Sequence, residues 1–296
     1  MSTELALAFA LVASLGYGIS KFLIKKANNV NPLVSVLYTF LLAPPILLVF
    51  AAFNGDLSIS YTIEPLTIVY LALAGIFYLA IGRIFAYSSI NLVGAARASQ
   101  LTSTQIIFSS VLSVIFIQEQ MSLQLALGTA TIFIGLIFIS FSNSKCEGGD
   151  VIPHDRFNRG VLLGLIAGVL WGASQLFLKE GGRGLKSSTM ASLISYLFAI
   201  LVQGTIVFSF ARKDFKQGKM QVTFLFLAGI VSTFALLAQY SALRIADVVW
   251  VNPIVNTSPL ITLIACYLMI QKVESINSKV VFGAIAVVVG AVLVAI

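Results

Sequence analysis

An all-α membrane protein of ten transmembrane helices, arranged as two inverted five-helix repeats, is what the sequence predicts, on three observations. The chain has 296 residues and is 59% hydrophobic but only 10% charged, whereas soluble domains average about 45–50% apolar and about 25% charged. The apolar residues come in runs of about 20, the length at which a helix crosses a hydrocarbon core. The first half of the chain also resembles the second at a nearly constant spacing.

Ten runs follow one another: Leu5–Ile24, Pro32–Phe53, Pro65–Ile90, Ala95–Ile117, Leu123–Phe141, Gly160–Leu178, Ser188–Phe210, Val222–Leu243, Val248–Ile270 and Lys279–Ile296. Each is apolar on all sides, unlike barrel strands, which alternate over about 10 residues. The first is expected to be a retained helix. A signal peptide has a basic leading region, whereas here Glu4 precedes the run and Lys21, Lys25 and Lys26 end it. The longest polar stretch, 142–159, carries charges, glycines and Pro153 and reads as a linker. It divides the chain into a first repeat, 1–141, and a second, 160–296.

The repeat is legible residue by residue. Leu11–Ala27 aligns without a gap to Leu165–Gly181 at a shift of 154, with Gly18 on Gly172, Ser20 on Ser174, Lys25 on Lys179 and Tyr17 facing Trp171. Leu73–Ile76 repeats as Leu227–Ile230 at the same shift, and Gly128 and Gly135 match Gly283 and Gly290 at 155. Duplicating a unit with an odd number of spans inverts the copy. Such inverted repeats about an axis in the membrane plane are a transporter architecture, because exchanging the shapes of the halves exchanges inward and outward access.

With these features the chain resembles the drug/metabolite transporter superfamily, specifically the EamA-type ten-helix carriers. The resemblance is carried by Gly16-Tyr17-Gly18 and Leu170-Trp171-Gly172, by Ala242, Leu243 and Ala246 before helix nine, and by Pro259 within it. It is carried also by Glu119 with Gly128 and Gly135, and Glu274 with Gly283 and Gly290. It implies a multi-pass carrier of a small solute, with both termini in the cytoplasm. Two departures stand out. Ile106 occupies the position that the repeat gives to Pro259, so a kink in helix nine need not recur in helix four. The loop before helix three is acidic, with Asp56 and Glu64.

The net charge of +7 does not point to nucleic acid, because the bases sit in short loops between apolar runs, as Lys and Arg do in membrane proteins. Counting Lys179, Arg183, Lys186 and Arg244 on the terminal face against eleven bases on the other, the positive-inside rule places both termini outside, the reverse of what the resemblance implies. Cys146 and Cys266 are too few and too far apart for a disulfide framework or a metal site. His154 lies in the linker, and neither a cofactor nor a metal is expected. With no nucleotide-binding glycine loop, direct ATP drive is not encoded. The partners expected are a small-molecule substrate and the lipid bilayer, with the chain a monomer or homodimer in the plasma (inner) membrane of a prokaryote.

All eleven acids lie in or beside polar breaks. Proton-coupled export of cations through an acid in helix one is thereby disfavoured, since Glu4 stands only at that helix's mouth. A lipid-modifying enzyme lacks an acid/base or metal constellation. A cation or drug exporter of the same superfamily and a channel stay as alternatives. Three bases do intrude: Lys21, Arg83 and Arg97. Each costs about 2.5–3.5 kcal/mol at a helix centre on insertion scales, unless it faces a cavity or partner or reaches the headgroups. Arg83 is the deepest. Tyr87, four residues on, shares its helix face. The substrate site is expected to contain Arg83, Tyr87, Tyr17, Lys21, Trp171, Gln175, Gln239, Tyr240 and Asn256, and to bind a small anionic or zwitterionic metabolite. For the Gln and Asn residues, hydrogen bonding between helices is the competing role. Helices five and ten are expected to pack on their glycine faces.

Overall fold

The computed structural model describes residues 2–27, 30–58, 63–142, 154–185, 187–269 and 278–295. Among these there is no strand. The linker residues 143–153 and the second-repeat Glu274 lie outside the described residues. Within the described residues, ten spans run in order: α1 (Ser2–Ala27), α2 (Pro32–Phe53), α3 (Pro65–Val93), α4 (95–117), α5 (Leu123–Ser142), α6 (His154–Arg183), α7 (Ser188–Phe210), α8 (Lys219–Ile245), α9 (248–269) and α10 (Ser278–Ala295). Eight are long and apolar enough to cross a membrane by themselves, and the apolar stretches Leu123–Phe138 and Phe282–Ala295 supply the other two. Large apolar side chains such as Ile115, Phe116, Leu201 and Phe208 point outward, which suits a surface solvated by lipid.

The halves interlock. α1 packs on α8 and α9 of the other half, and α6 packs on α3 and α4. These are the same contacts exchanged between repeats. α5 and α10 pack against each other through their glycines, as expected. A Cβ on Gly135 would stand 2.7 Å from the Gly283 carbonyl oxygen, and one on Gly290 would stand 2.7 Å from that of Gly128. Close backbone approach of this kind drives helix association in lipid. Because 128 meets 290 while 135 meets 283, the two helices are antiparallel, which is the inversion of the repeats seen at one contact.

Helices near the centre are interrupted. α9 breaks at Asn256–Thr257, between Pro253 and Pro259. α4 breaks at Ser103–Thr104, the corresponding position in the other repeat, although Ile106 replaces the proline. The kink is therefore shared, which the loss of the proline left open. Hydroxyls replace proline as its cause: Thr102 and Ser103 both donate to the Ser99 carbonyl at 2.9 Å, and Thr104 donates to that of Leu101 at 2.9 Å. Such back-bonding competes with the helix ladder and bends it. In α3, residues Ala74–Ile81 form a π-helical stretch, a wider turn that often marks a functional site.

Candidate functional site

At mid-span, where α1, α3, α4, α6, α8 and α9 meet, a narrow cleft lies between the two halves. α1 contributes Tyr17, Ser20, Lys21 and Ile24; α3 contributes Tyr78, Arg83 and Tyr87. Gln105, Trp171, Ser232, Val255 and Ser258 complete the wall. Five of the predicted residues are thus brought together: Tyr17, Lys21, Arg83, Tyr87 and Trp171. Among the described residues, no Asp or Glu lines the cleft.

Arg83 is buried. Its guanidinium lies over the Phe40 ring at 5.2 Å, and Nη1 donates to Ser232 Oγ across a long 3.4 Å. Nη2 is buried without a hydrogen-bond partner. Lys21 Nζ is 3.4 Å from Ser258 Oγ and 5.9 Å from the centre of the Trp171 ring. Arg97, by contrast, leaves the cleft and lies against Phe157.

The end of the cleft toward the terminal face is closed by a hydrogen-bonded layer. Gln239 Oε1 accepts from Tyr17 Oη at 2.7 Å and from Tyr78 Oη at 3.0 Å, and its Nε2 donates to Gln175 Oε1 at 2.9 Å. Trp171 Nε1 donates to the Tyr78 carbonyl at 2.9 Å, inside the π-helical stretch. A Cβ on Gly82 would stand 2.4 Å from that indole nitrogen, so glycine makes room for it. Gln175 and Gln239 therefore stand behind the wall and fix its aromatic residues. Asn256 has the same supporting place: its Oδ1 accepts from Gln105 Nε2 at 2.5 Å and its Nδ2 donates to the Asn252 carbonyl at 2.9 Å. Tyr240 does not line the cleft. Its hydroxyl shares a 2.7 Å hydrogen bond with Ser195, and the ring packs in the core.

Beyond that layer, at the terminal face, stands a group that sequence reasoning missed. Gln118 has a left-handed φ of 57°, which ends α4 and turns Glu119 inward. The buried Glu119 carboxylate accepts from the backbone N–H of Val248 at 2.9 Å and of Val249 at 3.0 Å, the first turn of α9. A carboxylate there satisfies free amides and faces the positive end of the helix dipole. Lys179 Nζ lies 3.9 Å from Glu119 Oε1 and 3.1 Å from Asp247 Oδ1, and it also donates to the Ala246 carbonyl. Counted as a loop base from the sequence, Lys179 is in fact buried in α6. Its position four residues before Arg183 resembles a loop edge, and only the fold shows that α9 covers it. Missing from the expected site as well are the lining hydroxyls Ser20, Ser232 and Ser258 and the ring of Tyr78, which sits in an unbroken apolar run and carries no polar neighbour to mark it.

The profile of the EamA-like transporter family matches residues 4–141 and 158–296, one match per repeat. No curated protein matches the chain at significant similarity. A solved crystal structure of a protein covers 97% of this chain and 97% of its own with a TM-score of 0.77 at 13% identity, which is likeness of fold. With the family profile spanning both halves, the chain belongs to the EamA-like transporter family, a multi-pass integral membrane transporter of the drug/metabolite superfamily.

Proposed function

We propose that the protein is a secondary carrier that moves a small anionic or zwitterionic metabolite by alternating access, with the mid-span cleft as its substrate site. The observation that carries this reading is Arg83. It is a buried guanidinium with one nitrogen unpartnered, at the edge of a cleft lined by a second base and, among the described residues, by no acid. A planar fork of donors suits a carboxylate or phosphate group. Tyr17, Tyr78 and Trp171 supply apolar faces with polar edges for the rest of the solute. An organic cation would meet two like charges there, which disfavours the cation-exporter alternative.

The cleft's place between the halves supports the mechanism. Its lining runs from Tyr78 and Trp171 at mid-span to Ile24 and Tyr87 near the face where α1 and α3 end. Toward the terminal face the path is blocked by the Gln239 layer and then by Glu119, Lys179 and the start of α9. In this reading, substrate binding is followed by release of the terminal-face contacts and formation of their repeat-related counterparts. Proteoliposomes preloaded with pooled unlabelled metabolites and given labelled amino or organic acids test it. Saturable counterflow is expected, whereas flux that grows in proportion to the gradient without counterflow would identify a channel.

A further inference from the structure

We infer that the substrate is a dianion whose two negative charges are shared between Lys21 and Arg83; this rests on the mid-span cleft being the substrate site. The two bases come from different helices, α1 and α3, yet open on one cleft. Lys21 and Arg83 each meet one serine hydroxyl at 3.4 Å, longer than an ordinary N–H···O bond of about 2.9–3.0 Å, and the Tyr87 hydroxyl is a further hydrogen-bonding neighbour of Arg83. Lys21 has three N–H donors and Arg83 five, so most of their capacity is unspent, and Arg83 Nη2 is both buried and unpartnered. The rings of Trp171 and Phe40 hold the cations in place without neutralising them.

The same chain shows what a structural base looks like. Lys179, also buried, is met by the Glu119 and Asp247 carboxylates and by a carbonyl. Lys21 and Arg83 have no such acid beside them among the described residues. Two like charges in a low-dielectric cleft repel each other, and a monoanion would cancel only one of them. A ligand with two carboxylates, or one phosphate monoester, cancels both and fills the vacant donors.

Binding to the purified full-length protein in nanodiscs, by calorimetry, tests this with matched probes: succinate against succinamate, and glycerol 3-phosphate against its methyl ester, with tetraphenylphosphonium as the cation. The dianion of at least one pair is expected to bind ten-fold or more tighter than its monoanionic match, and the pair that responds distinguishes a dicarboxylate from a phosphate ester. Lys21→Gln and Arg83→Gln should each abolish that preference, while Lys21→Arg and Arg83→Lys, which keep the charge, should retain part of it and control for folding. Equal binding within both pairs overturns the dianion inference but leaves an anion site. Binding of the cation alone, or of no anion, overturns the anion site as well.

Discussion

The Glu119 carboxylate lies 3.9 Å from the Lys179 ammonium, joining the end of a helix in the first repeat to the end of one in the second. The same carboxylate caps the N-terminus of α9. Opening the terminal face means parting α4 from α6 and α9, and therefore exposing or re-pairing these groups. Breaking a buried pair from one side costs about 3–5 kcal/mol, although the half-exposed Asp247 would still answer part of the Lys179 charge. Glu119→Gln is expected to shift the protein toward terminal-face-open states. With Cys146 and Cys266 replaced, Ser258→Cys in the cleft should react faster with an impermeant maleimide from that face. An unchanged labelling rate would mean that Glu119 is a static cap.

The glycine faces of α5 and α10 leave no room for side chains. Gly135→Leu and Gly290→Leu are each expected to destabilise the protein by about 1–3 kcal/mol or more through overpacking, seen as a lower temperature of thermal unfolding in detergent. Cysteines at 128 and 290 should cross-link. These helices lie away from the cleft, so substrate affinity of whatever folds should be little changed.

Gln239→Leu removes the acceptor shared by Tyr17 and Tyr78 and the donor to Gln175. Leaving buried polar groups unsatisfied costs about 1–3 kcal/mol each. Because the affected rings line the cleft, the variant is expected to lose substrate affinity as well as thermal stability. Gln239→Glu, which keeps the acceptor, should recover more affinity than the leucine variant. If both variants bind as the wild type does, the layer has no part in shaping the site.

Removing the buried Lys179 from the loop count leaves three bases on the terminal face, Arg183, Lys186 and Arg244, against eleven on the other. The positive-inside rule then keeps both termini outside. A C-terminal reporter active only in the cytoplasm is expected to be silent, and a strong signal would establish the opposite orientation.

Much of the fold was legible because membranes impose long apolar runs, and because a duplicated sequence keeps its spacing. Gly128, Gly135, Gly283 and Gly290 even announced which helices touch. The α4 kink was hidden because serine and threonine can do what proline does, and nothing in Leu101–Thr104 says which carbonyl a hydroxyl will take. Within the site, charge was the readable signal: Lys21 and Arg83 are conspicuous in apolar runs, and both reach the cleft. Neutral residues were sorted poorly. Tyr78 and Tyr240 look alike in sequence, yet one lines the cleft and the other bonds Ser195 in the core. Lys179 and Glu119 sit near helix ends, where burial depends on what another helix covers.

Counterflow by Arg83 variants tests the central claim most directly. In proteoliposomes exchanging an anionic metabolite that the wild type carries, Arg83→Gln should raise KM or lower kcat/KM by roughly 30-fold or more, the cost of removing one partner of a buried charged contact being about 2–5 kcal/mol. Arg83→Lys should recover part of that loss, since it keeps the charge but not the planar fork. A folded Arg83→Gln variant that exchanges the anion with wild-type KM and rate would contradict the account.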